Sequence, residues 1–164
     1  MAKKGTIGTK IVLEGVNEYN KSLKDIAAEE KLLQSEMKKT QAAFKGMEDS
    51  EEALRKKQAI LTEQVELQRK KYEEHRKMVE NSAKAQQEYA KRSEEVRSQL
   101  EKEEATLKQL QSSSEASEEA IKEQAEAVDK LRDDVAKSEA GYESAGKKMQ
   151  TYQTKCNEAE TGLL

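Results

Sequence analysis

The sequence predicts an all-α protein, with elongated helices of coiled-coil type behind one short N-terminal β-strand, and three observations predict it. First, 38% of the 164 residues are charged, only 34% are apolar and 4% are aromatic. So little apolar surface does not offset the chain entropy of a compact core, which leaves disorder or long helices that bury a narrow seam. Second, the chain contains no Pro and is rich in Ala, Glu, Lys, Gln and Leu, the best helix formers. Third, apolar residues recur at alternating steps of three and four over most of the length, the spacing of a heptad seam.

The exception to that spacing comes first. Residues 6–14 (TIGTKIVLE) alternate with period two and are rich in β-branched side chains, so they read as a strand. A lone strand leaves its backbone groups unpaired. Ile7, Thr9, Ile11 and Leu13 are therefore expected to dock on another copy or another protein by strand addition, which makes residues 1–15 a docking segment.

Beyond Gly15 the first helix is expected over residues 16–45, with Asn17 as its cap. Its seam runs through Val16, Tyr19, Leu23, Ile26, Leu33, Met37 and Phe44, with Glu30 and Thr40 as polar faults. Gly46 ends it, and Asp49 with Glu52 reads as a capping box for a second helix over residues 51–111. One unbroken phase passes through Leu54, Leu61, Val65, Tyr72, Val79, Tyr89, Val96, Leu100, Leu107 and Leu110, taking in His75 and several Gln and Ser positions on the way. The Ser-rich stretch 111–115 favours a turn. The third helix, over residues 116–164, carries Val128, Leu131, Val135, Tyr142, Met149, Tyr152 and Cys156 on its seam and is weakened by Gly141 and Gly146. A faint echo links two helix starts: Ser50-Glu51-Glu52-Ala53-Leu54 returns as Ser117-Glu118-Glu119-Ala120-Ile121.

The charge balance, 30 basic against 33 acidic residues, is intermixed along the chain and makes no basic footprint for nucleic acid. No run of apolar residues suffices for a membrane span, and no secretory signal is expected. Neither catalysis nor a cofactor is expected either. The one His, His75, has no second His or nearby Cys to complete a zinc site, and it reads as an amphipathic seam residue. The one Cys, Cys156, reads as a small buried hydrophobe in a reducing compartment. Third helices from several copies are expected to run parallel and in register, so that Cys156 residues face each other. A fold-back at Ser112–Ser114 would set Cys156 against its own second helix instead.

A more specific signal lies in the first forty-odd residues. The segment GTIGTKIVLEGVNEYNKSLKDI, followed by LLQSEMKKTQAAF, resembles the start of the tail tape measure proteins of long-tailed phages that infect Gram-positive bacteria. The matching residues are Thr6 to Ile11, Gly15, Glu18-Tyr19, Leu23, Ile26 and Ser35-Glu36-Met37. The resemblance covers about residues 5–45 and is generic beyond them. It implies a structural ruler and scaffold for tail tube assembly, located in the virion and assembled in the bacterial cytoplasm. The implied partners are further copies of itself, as a homo-oligomer, and tail tube or tail-end proteins. It also implies that these residues are the N-terminal piece of a longer chain, whose length rather than side-chain chemistry matters. The alternative expectation is a cellular coiled-coil scaffold or tether.

Overall fold

The computed structural model describes residues 11–162, and these form three helices: α1 (Val16–Ala43), α2 (Glu51–Ser112) and α3 (Glu118–Thr161). The described chain is all-helical, and no helix in it is long and apolar enough to cross a membrane.

The helix starts show why the chain turns where it does. α1 begins after Gly15, whose φ of +79° suits glycine, and no side chain caps it. Asn17, the expected cap, already lies inside the helix. A Cβ at position 15 would also lie 3.1 Å from Asn81 Nδ2, which donates to the Glu14 carbonyl. α2 is capped by Ser50 rather than Asp49: its hydroxyl accepts from the Ala53 N–H at 3.3 Å. Ser117 does the same for α3, accepting from Ala120 N–H at 3.2 Å. The repeated Ser-Glu-Glu-Ala segment is thus a repeated cap, with two glutamates in each first turn where the helix dipole favours negative charge.

Among the described residues the expected strand is not seen. Ile11, Val12 and Leu13 have no regular secondary structure, and Ile7 and Thr9 lie outside the described residues. Ile11 spends its backbone groups on one side chain: its N–H donates to Tyr89 Oη, and Tyr89 Oη donates to its carbonyl, each at 3.2 Å. Of the expected docking residues, Ile11 is thus held by the chain's own α2.

The chain divides into two compact units. In the first, residues 82–112 of α2 and 118–147 of α3 pack antiparallel, with residues 11–13 alongside. Rising numbers on one helix meet falling numbers on the other. Tyr89 lies on Gly141, Arg97 pairs with Glu139, and Gln124 donates to the Glu103 carboxylate at 2.6 Å. Its buried side chains are mostly small: Ser82, Ala85, Val96, Val128, Ser138 and Ala145. The second unit holds α1, residues 51–81 of α2 and residues 148–161 of α3. Here α1 and α2 are antiparallel around Ile26, Leu33, Ile60 and Leu67, with Leu23 and Met37 packed against them. Four such side chains, nearly out of water, supply the main apolar stabilisation of this unit, at roughly 1.5–3 kcal/mol each.

Candidate helix-contact site

In the second unit α1, α2 and the end of α3 meet around two polar rings. Tyr19 lies one turn into α1, and its hydroxyl is 3.0 Å from His75 Nδ1 on α2. Both residues are 4% exposed. The Tyr152 ring of α3 meets Tyr19 edge-on at 5.3 Å between centroids. Lys155 Nζ stands over both tyrosine rings, at 5.9 and 5.7 Å, within range of a cation–π attraction. Burial, then the positive charges of Lys155 and Lys71, holds the His75 pKa below its ordinary value. The neutral imidazole is the favoured form there, and it is satisfied by the tyrosine. Burial, and next the Glu74 carboxylate, pushes the Tyr19 hydroxyl the other way, so it stays protonated.

Cys156 lies one turn beyond Tyr152. Its thiol is buried 3.9 Å from the Tyr72 carbonyl of α2, and burial raises its pKa. The chain's one cysteine therefore faces its own second helix, as a fold-back requires and not the parallel pairing that was expected, and a thiol so buried and protonated is a poor nucleophile. The polar fault at Glu30 also has a purpose: its carboxylate accepts from Gln68 Nε2 at 2.9 Å and pairs with Lys71 at 3.5 Å. One charged group on the contact face thus fixes the register of α1 on α2.

The seam residues fall into three groups. Tyr19, Ile26, Leu33, Val96, Val128 and Cys156 are buried. Leu23, Met37, Phe44, Tyr72, Val79, Tyr89, Leu100, Leu107, Leu110, Leu131, Val135, Met149 and Tyr152 are half-buried, as are Ile11 and Leu13. Leu54, Leu61, Val65 and Tyr142 are exposed. On α3 it is Gly141, not Tyr142, that faces the neighbouring helix, because the Tyr89 ring occupies the space a larger residue would fill. On α2 the face toward α1 is carried by Ala53, Ile60 and Leu67, one residue before the expected positions. From His75 onward the expected positions His75, Ser82 and Val96 are buried, beside Met78 and Ala85, which still lie one residue before expected positions. The step from Leu67 to His75 is eight residues, not seven. Two successive steps of four, through Lys71, shift the contact stripe around the helix.

Sequence periodicity therefore missed Ala53, Ile60, Leu67, Met78 and Ala85 as buried contacts. The signal was present, since Ala53, Ile60 and Leu67 are themselves spaced by seven. The competing stripe through Leu54, Leu61 and Val65 is as apolar and keeps a single phase along the whole helix. Among the described residues no group of three or more His, Cys, Asp and Glu is placed to hold a metal ion. No protein-family model, no curated protein and no solved structure matches this chain.

Proposed function

We propose that this chain is a structural, non-catalytic helical scaffold, the N-terminal segment of a phage tail tape measure protein, acting in tail tube assembly through helix–helix contacts of coiled-coil type. One observation carries the scaffold reading: the two side chains with most chemical potential are used in packing. His75 is sealed against Tyr19, and Cys156 against the Tyr72 carbonyl, at the meeting of three helices. The resemblance of residues 5–45 to the start of tape measure proteins carries the rest: the virion location, the assembly role, the tail tube or tail-end partners and association with further copies.

The test is recovery. Mass spectrometry of purified tails should find this sequence at a fixed ratio to the tube protein. Particles that lack it would overturn the tape measure reading. Recovery from a cellular complex free of tail proteins would assign the scaffold to the host instead.

A further inference from the structure

The first turns of α1 are held in the second unit by one buried side chain. α1 buries three residues, Tyr19, Ile26 and Leu33, and the last two belong to the apolar cluster with Ile60 and Leu67. Ahead of Ile26 only Tyr19 is buried. No side chain caps the helix, and the chain enters it through Gly15 at a φ of +79°. Tyr19 in turn rests on two rings. Its hydroxyl lies 3.0 Å from His75 Nδ1, and its own ring meets that of Tyr152 edge-on. The chain's one histidine, the side-chain type that titrates near neutral pH, therefore sits under the start of α1.

We propose that His75 is an acid-sensitive latch: a proton on its ring frees residues 16–23 of α1 from α2 and α3, while the apolar cluster keeps the rest of α1 in place. Three features make it one. A neutral imidazole keeps one bare nitrogen, which can accept from the Tyr19 hydroxyl. A second proton makes both nitrogens donors, and the tyrosine hydrogen loses that acceptor. His75 is also 4% exposed, so its charge would lie away from water, where an unpaired charge is costly. Finally, the surroundings do not supply a dedicated counter-charge. Tyr19 faces the ring from α1, Lys71 and Glu74 act on it from α2, and Lys155 and Glu158 from α3. Glu74 is already paired with Lys77 at 2.9 Å.

Burial, then Lys155 and Lys71, lowers the pKa of the packed imidazole against the opposing pull of Glu158 and Glu74. The freed ring therefore binds the proton more tightly than the packed one, and acid favours the open form. One pH unit below the free value of about 6.5, that preference is worth at most about tenfold in the opening equilibrium.

Hydrogen–deuterium exchange of the full chain from pH 7.5 to 4, with labelling times scaled for the intrinsic rate, tests the latch. Peptides spanning residues 16–25 should exchange about threefold to tenfold faster at pH 5.5 than at pH 7.5, relative to the intrinsic rate. Peptides from residues 30–40 and 90–100 should not change. His75→Gln cannot take the proton and should erase the difference. If that variant does not fold, the wild type still decides. The rise should begin near pH 6.5 and level off below the His75 titration midpoint read from its Cε1 proton by NMR. No rise in residues 16–25, the same rise in His75→Gln, or a rise throughout the chain overturns the latch. A rise that begins only in the carboxylate range, at about pH 4, also overturns it and gives the opening to the Glu30–Lys71 pair instead. None of these results bears on recovery from tails, so the two readings are judged separately.

Discussion

His75 shows what burial does to a titratable group in a helix contact. Tyr19 faces it from α1, Lys71 and Glu74 act on it from α2, and Lys155 and Glu158 from α3. Its folded pKa lies below the value of about 6.5 expected in the unfolded chain. Below pH 6.5 the unfolded state therefore binds more protons, so the contribution of His75 is complete above that pH and is lost as pH falls toward the folded value. The difference in melting temperature between the wild type and His75→Gln should shrink as pH drops from 7 to 5.5. A constant difference would mean that His75 does not titrate as its surroundings require. Tyr19→Phe keeps the ring contact with Tyr152 but leaves Nδ1 without its partner. It should cost about 1–3 kcal/mol in urea unfolding.

At the scale of the element, two glycines of α3 make opposite predictions from one substitution. Alanine is worth roughly 1 kcal/mol over glycine inside an exposed helix. At Gly141 a Cβ would collide with the Tyr89 ring, the same ring that holds the Ile11 backbone. Gly141→Ala should therefore destabilise the chain and expose the Ile11 N–H to hydrogen exchange. At Gly146 the neighbour is the amide end of the Gln86 side chain, which can swing aside. Gly146→Ala should leave stability unchanged or raise it, and equal effects at both sites would refute the contrast. The two stripes of α2 can be separated in the same way. Ile60→Ala should cost about 2–4 kcal/mol, as for other large-to-small changes in a core. Leu61→Ala, one residue on, should stay within about 0.5 kcal/mol, as exposed substitutions do. Chemical denaturation of both variants decides which stripe carries the fold.

The whole molecule bears on the idea that only length and phase matter. Removing residues 72–85 takes out two whole heptads and preserves the phase between Val65 and Tyr89. By periodicity alone that deletion is neutral. In the folded chain it removes His75 and Met78 from one compact unit and Ser82 and Ala85 from the other. The deleted chain should melt at lower temperature with a broader transition, by circular dichroism. A sharp transition at the wild-type temperature would restore the view that heptad phase alone specifies the fold.

Composition and spacing by themselves determined that the chain is helical, because local preference, the absence of proline and the three-four recurrence act within each segment and need no partner. They also marked the polar fault at Glu30 and the seam positions of His75 and Cys156. Only the tertiary structure decided which of two stripes on α2 faces α1, because helical spacing defines a stripe but not the neighbour that covers it. It also decided that Ile11 is held by Tyr89 rather than by strand pairing, and that Gly141 is a contact. A hydroxyl 78 residues away in sequence, or a ring seated where no Cβ exists, leaves no periodic trace. Where two apolar stripes fit the same helix, the choice belongs to the packed arrangement, in which Gln68 and Lys71 satisfy the Glu30 carboxylate.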